Sequence, residues 1–240
     1  MVDGSPQRIL EIGCATGVMG QAIKKLHPHC FYVGLEIDKE SAEQAKKVLD
    51  QVIVGDIQKM SLSDYGIARS SFDYVLFGDV LEHLYDPWTV LYYCKQYLKN
   101  TGCIVASIPN VRNLEIVNSL INGYFTYKDE GILDSTHLRF FTYKEILSMF
   151  DSCDLEIMQI KNNIAHYFDF NKIDMVSSID LPKFTIKSLS QEEIIELSTI
   201  QFIVKAKNKQ LTGNELFYET QKPFEATSNT VFNLWWIRQS

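Results

Sequence analysis

Residues 9–17, Ile-Leu-Glu-Ile-Gly-Cys-Ala-Thr-Gly, constrain this chain more than any other stretch. A short apolar run enters a turn of small residues, and a helical pattern begins at once, with Met19, Ala22, Ile23 and Leu26 on one face. Glycines at such a turn allow backbone angles closed to other residues and let a ligand approach the main chain. The alternation then continues. Residues 31–35, 52–54, 72–77 and 103–108 read as buried strands, and residues 40–49 as a helix. Asp86-Pro87 reads as an N-cap with proline at the first helical position; Val90, Leu91, Cys94, Tyr97 and Leu98 form the stripe, and Asn100-Thr101-Gly102 closes it. Strand–helix alternation of this kind predicts an α/β fold, doubly wound around a mostly parallel sheet.

The texture changes after Pro109. Residues 110–141 are rich in aromatic and polar side chains and carry one clear helix, residues 114–121. Two capping boxes are expected, Thr142 with Glu145 and Ser190 with Glu193. Residues 155–161 and 199–206 read as strands, with an irregular insertion, residues 162–189, between them. The expected division is one domain over residues 1–207, with residues 110–141 as a lid and 162–198 as an accessory segment, then a tail over 208–240. The first strand begins so early that the chain is expected to be a fragment or a domain of a longer polypeptide.

Charge and cysteine usage narrow the setting. A formal net charge of −7 gives no basic field for long nucleic acid. Five scattered cysteines, without a CxxC pair, suit reduced core thiols better than a disulfide framework. No apolar run approaches the ~18 residues of a membrane span, so a cytoplasmic protein is expected.

The turn at Gly13 suits more than one nucleotide. Ala15-x-Gly17-x-x-Gly20 approximates the GxGxxG of dinucleotide folds. Glu11 is an acid inside an apolar strand and needs a ligand ammonium or ordered donors. Glu36, ending the second strand, can accept both hydroxyls of a ribose, which suits NAD equally. What separates the readings is Gly55-Asp56-Ile57 after the third strand and Gly78-Asp79 after the fourth.

With those motifs in order, residues 8–150 resemble the class I S-adenosylmethionine-dependent methyltransferases. The resemblance is strongest to bacterial O-methyltransferases of glycan, secondary-metabolite and quinone pathways, with E-x-G-C-x-x-G, V-x-G-D-[IL], D-V-L-E-H-L and S-x-P-N. It implies a Rossmann-like seven-stranded sheet with an insertion before the last strand, and S-adenosylmethionine as cofactor. By the resemblance, Glu11, Gly13, Cys14, Ala15 and Gly17 belong to the loop under the cofactor's methionine part. Glu36 should hold the ribose, Ile37 should pack on adenine, and Asp56, with Ile57, should receive the adenine amino group; Asp79 closes the set. Ala15 replaces a frequent glycine or serine and demands more room.

Methyl transfer requires an aligned acceptor and a group to take its proton. Asp79, Glu82 and His83 would share one helix face if a helix starts at Asp79. The cluster Asp134-Ser-Thr-His-Leu-Arg-Phe-Phe-Thr142 should bring His137 and Arg139 to the cleft. Terminal 2′-O-methyltransferases of small RNAs carry E-x-x-E-H and a later histidine; here Asp79 replaces the first glutamate. Asp79, Glu82, His83 and His137 therefore either hold Mg²⁺ or another divalent metal, or supply a metal-free base. Trp88, Tyr92, Tyr124, Phe125 and Tyr127 offer stacking faces for a sugar, or are core. The expected activity is methylation of a hydroxyl on a small molecule or glycan precursor. Alternatives are a metal-dependent RNA-terminus 2′-O-methyltransferase, a non-catalytic cofactor-binding module and a dehydrogenase; a homo-oligomer or a fused partner domain is also compatible.

Overall fold

The computed structural model describes residues 1–165 and 178–209. Its centre is a seven-stranded, mostly parallel sheet, as the resemblance implies, and its strand order is β3-β2-β1-β4-β5-β9-β6. The first four strands are β1 (Arg8–Ile12), β2 (Phe31–Glu36), β3 (Gln51–Val54) and β4 (Phe72–Gly78). Then come β5 (Leu98–Pro109), β6 (Leu155–Ile164) and β9 (Thr199–Asn208). β9 lies between β5 and β6 and is antiparallel to both, whereas the pairings among β1 to β5 are all parallel. These strands read as unbroken apolar runs because both faces of the sheet are covered over β1 and β4.

The helices follow from their own signals. α1 (Val18–Leu26) and α2 (Lys39–Ala45) accompany β1 to β3, and Asp38 caps α2 by accepting from the Ser41 N–H at 2.7 Å. Cys14, Tyr32, Ala45 and Leu49 lie in the core on that side. α3 (Pro87–Cys94) and α5 (Tyr143–Ser152) contribute to the larger core on the other face, where Phe72, Phe77, Leu91, Phe150 and Phe202 are almost completely buried. Asp86 caps α3 through the Thr89 N–H, with Pro87 in its first turn. All five cysteines are buried and unpaired.

Several expectations need correction. The segment Asn100-Thr101-Gly102 does not close a helix but lies within β5, where the register jumps from Phe72↔Leu98 to Tyr74↔Cys103. α3 ends at Cys94, and a single 3₁₀ turn, Lys95–Tyr97, leads into the strand. The insertion after β6 is partly regular: β7 (Ser178–Leu181) and β8 (Phe184–Lys187) form an antiparallel hairpin. It shares a satellite core with α4 (Leu114–Ile121) and α6 (Gln191–Ser198), through Ile179, Leu114 and Leu197. Of the two expected capping boxes, Ser190–Glu193 is complete, whereas Thr142 accepts from the Glu145 N–H only at a long 3.4 Å. Residues 166–177 of the accessory segment and the tail from residue 210 lie outside the described residues.

The strand order reverses between β1 and β4, the position where ligands bind in open α/β sheets. The carboxyl ends of β1 to β5 and the start of β9 meet along that edge.

Candidate functional site

The turn after β1 is tight and largely left-handed. Gly13 and Gly17 have φ of 71° and 82°, and Ala15 between them has φ of 46°. A Cβ on Gly17 would sit 3.1 Å from the Ala45 backbone, so α2 packs directly on the turn. Ala15 tolerates a left-handed conformation that glycine adopts at no steric cost, at roughly 1–2 kcal/mol. Its N–H donates to Glu36 Oε2 at 2.7 Å, and the Asp38 N–H donates to Glu36 Oε1 at 2.9 Å. The Glu36 carboxylate thus ties the first loop to the second, and its remaining lone pairs stay open to a diol.

Of the two partners open to Glu11, the structure supplies a protein donor: the Tyr32 hydroxyl donates to Oε2 at 2.8 Å. Burial pushes Glu11 up to about 7, moderated by that bond and reinforced by the nearby Glu36 charge. Asp56 accepts from the Gln58 N–H at 3.0 Å and pairs with Lys59 at 3.0 Å. Ile57 is buried, while Ile37 stands 65% exposed, an apolar surface free to cover a flat ring.

No helix begins at Asp79. Its φ is 55°, Val80 is not helical, and only one 3₁₀ turn, Leu81–His83, follows. Asp79 consequently does not share a helix face with Glu82 and His83. It accepts instead from the Ser107 hydroxyl at 3.0 Å and from the Gln201 amide, with its own N–H bonded to Ser107. Ser107 and Gln201 are site neighbours that sequence reasoning missed; the register of β5 against β9 brings them together.

Glu82, His83 and His137 do converge: one ligand atom from each lies within 4.8 Å of the others, and Asp79 is not among them. The rings of His83 and His137 meet edge-on at 4.7 Å. Glu82 is 1% exposed, and neither of its oxygens has a hydrogen-bond partner. His137 Nε2 stands 4.0 Å from Glu82 Oε1, and its Nδ1 bonds the Ile132 carbonyl at 3.0 Å. Burial pushes the Glu82 carboxyl up to about 8, and the charges of Asp79 and Asp134 add to the rise. Burial also holds His137 below the usual imidazole range, partly offset by its bond to Ile132.

The loop that carries His137 is pinned by main chain. The Glu82 carbonyl accepts from the N–H groups of Leu138 and Arg139, at 2.8 and 3.0 Å. The Arg139 guanidinium bonds the Tyr85 carbonyl, with Nε at 3.0 Å. Beside His137, the rings of Phe140, Phe125 and Tyr127 form a chain of contacts 5.5–6.4 Å apart. Among the stacking candidates, Trp88, Tyr92, Tyr124, Phe125 and Tyr127 are all exposed.

A buried, donor-free carboxylate beside two imidazoles fits a divalent cation, which would replace the proton that burial otherwise holds on Glu82. Glu82, His83 and His137 are the residues that would hold it.

The fold and this edge define a class first: a doubly wound α/β domain with a nucleotide-type loop at its switch point. Comparison with known proteins says what that domain is similar to. Residues 10–104 match the family model described as a methyltransferase domain. Ubiquinone biosynthesis O-methyltransferases of Shewanella sp. and Vibrio campbellii are 22% and 26% identical, over 62% and 69% of this chain. The chain spans 63% of the length of the Shewanella relative and 69% of the Vibrio one. A methyltransferase from Archaeoglobus fulgidus has a TM-score of 0.55 at 20% identity, covering 84% of this chain and 86% of its own. The plantazolicin methyltransferase BpumL, solved with SAH, gives 0.57 at 18%, covering 86% and 77%. Residues 10–104 are thus similar to a methyltransferase domain, and the chain has the fold of these S-adenosylmethionine-dependent methyltransferases. Among the described residues, no helix is long and apolar enough to cross a membrane.

Proposed function

We propose that this chain transfers the methyl group of S-adenosylmethionine to a hydroxyl of a small molecule or glycan precursor. The observation that carries the reading is the convergence of Glu82, His83 and His137 beside the carboxyl end of β4. The S–CH₃ bond breaks as the O–CH₃ bond forms, and the hydroxyl proton leaves to a base. The products are a methyl ether and S-adenosylhomocysteine. The sulfonium is already a good leaving group, so alignment and proton removal are what the protein must supply.

In this reading Glu36 holds the ribose, Ile37 and Asp56 frame the adenine, and residues 13–17 underlie the methionine part. His83 and His137 receive the proton, or with Glu82 hold a divalent cation that would lower the acceptor hydroxyl's pKa when bound. Residues 122–137 act as a lid over the acceptor, and the exposed rings of Phe125 and Tyr127 offer it a face. O-methylation in the quinone-pathway relatives supports a hydroxyl acceptor.

The glutamate–histidine cluster also favours one second reading, a 2′-O-methyltransferase of an RNA terminus; the net charge of −7 weighs against it. The test is transfer from methyl-deuterated S-adenosylmethionine to panels of catechols, sugars and short RNAs, read by mass spectrometry with EDTA and with added Mn²⁺. A deuterated ether on a catechol or sugar bears the proposal out. Labelling of RNA alone would replace it with the second reading, and full activity after exhaustive chelation would leave only the metal-free base.

A further inference from the structure

The turn formed by residues 132–136 makes a set of hydrogen bonds that methyl transfer does not explain. We propose that Thr136, backed by Asp134, is a positioning residue that fixes His83 in its Nδ1–H tautomer and leaves its Nε2 lone pair for the Glu82–His137 cluster. The inference rests on the reading of that cluster as the chemical centre.

Counting protons fixes the tautomer. The Thr136 hydroxyl lies 2.6 Å from Asp134 Oδ1, and an ionised carboxylate can only accept, so the single hydroxyl proton points there. Toward His83 Nδ1, at 3.1 Å, the same hydroxyl can then only accept. The Thr136 carbonyl, 3.3 Å from Nδ1, is also an acceptor. Two acceptors at Nδ1 require an N–H on that nitrogen, and in a neutral imidazole the lone pair is then on Nε2.

His137 is treated alike. Its Nδ1 faces the Ile132 carbonyl at 3.0 Å, so that nitrogen carries the proton and Nε2 turns toward Glu82. One turn thus sets both tautomers. The Thr136 N–H donates to Asp134 Oδ1 at 2.7 Å, an Asx-turn that holds the Thr136 carbonyl and hydroxyl together on one side. Without Asp134 the hydroxyl proton is free to rotate onto Nδ1 and support the opposite tautomer. Asp134 and Thr136 touch neither cofactor nor acceptor in this account; they act through His83.

The measurement is a two-bond ¹H–¹⁵N correlation spectrum of the histidine rings in the full, metal-free chain at pH 8.5. Wild type should show His83 with Nδ1 protonated. Thr136→Val keeps the Asx-turn N–H but removes the hydroxyl, leaving only the longer carbonyl contact. It should lower the ratio of Nδ1–H to Nε2–H forms at least about twofold, and Thr136→Ser should restore it. Thr136 is exposed, so the valine variant should fold; Asp134→Ala is the second variant and should shift the ratio in the same direction. Mn²⁺ affinity, measured by calorimetry, should fall roughly tenfold in Thr136→Val and recover in Thr136→Ser. An Nε2–H tautomer in wild type, or an unchanged ratio in both variants, overturns the proposal. The expected tautomers in a chain that binds no Mn²⁺ and transfers no methyl group from S-adenosylmethionine would uphold the clamp and overturn the reading of the cluster as the chemical centre instead.

Discussion

Replacing Glu11 with glutamine isolates a buried charge whose cost depends on pH in a calculable way. The folded chain holds Glu11 at about 7, against 4.5 for the free side chain, chiefly because burial penalises the carboxylate. The raised value means that folded protein keeps a proton the unfolded chain has released. Stability is therefore full below about pH 4.5 and is lost as pH rises toward 7, after which the loss is constant. At 1.36 kcal/mol per unit, the loss is about 0.8 kcal/mol at pH 5 and about 3.4 kcal/mol at pH 8, so roughly 2.5 kcal/mol separates the two. Glutamine keeps an acceptor for Tyr32 but does not titrate, so Glu11→Gln should lack that loss. Its amide protons need acceptors in a buried site, which costs about 1–3 kcal/mol at every pH, so the sign at one pH is a poor test. The difference between the two pH values is the sound one. In ligand-free thermal melts, the gap between variant and wild-type Tm should move in the variant's favour by about 5–10 °C from pH 5 to pH 8. Parallel curves would refute the reasoning, because they would mean that Glu11 is solvated or already charged at pH 5.

Two further outcomes follow from the geometry. Gly17→Ala should lower stability by roughly 2–4 kcal/mol, combining a left-handed backbone with a Cβ 3.1 Å from the Ala45 main chain; urea denaturation measures it, and a loss under about 1 kcal/mol would contradict the packing. His137→Ala should reduce methyl transfer at least about tenfold while S-adenosylhomocysteine affinity holds, whereas joint loss of stability and cofactor binding would mark the residue as structural.

The two halves of the chain differ in how openly they state their fold. Strands β1, β2 and β4 were legible because parallel strands buried on both faces leave apolar runs bounded by glycine, as at Ile12-Gly13 and Phe77-Gly78, and the partly buried edge strand β3 is a shorter run ending at Gly55. Caps were legible where the bonds are local: Asp86 reaches Thr89, and Ser190 reaches Glu193. The β7–β8 hairpin was missed because its strands are four residues long and only Ile179 is buried, so no sustained period marks them. The Asn100-Thr101-Gly102 turn signal was real but was absorbed as a bulge in β5.

The site divides along the same line. The turn after β1 is a contiguous motif, so its left-handed glycines fall where the sequence points, and Glu36, at the end of the next parallel strand, closes on it through the Ala15 N–H. The pairing of Glu82 and His83 with His137 came through as motif likeness, but the helix expected to carry Asp79 into the group did not form. Its left-handed backbone sends that carboxylate to Ser107 and Gln201 instead. Contacts such as Thr136 on His83, 53 positions apart, arise only once the loop is pinned to the Glu82 carbonyl. No local pattern announces them.

The central claim is that the loop from Gly13 to Gly17, closed by Glu36, receives S-adenosylmethionine. Calorimetric titration with S-adenosylhomocysteine tests it most directly, using wild type and Glu36→Ala beside an NADH control. The account predicts saturable binding to wild type and no response to NADH. For Glu36→Ala it predicts at least about tenfold weaker affinity, since a charged hydrogen bond contributes ~1.5–3 kcal/mol. Binding of NADH in place of S-adenosylhomocysteine, or full affinity without the Glu36 carboxylate, would contradict it.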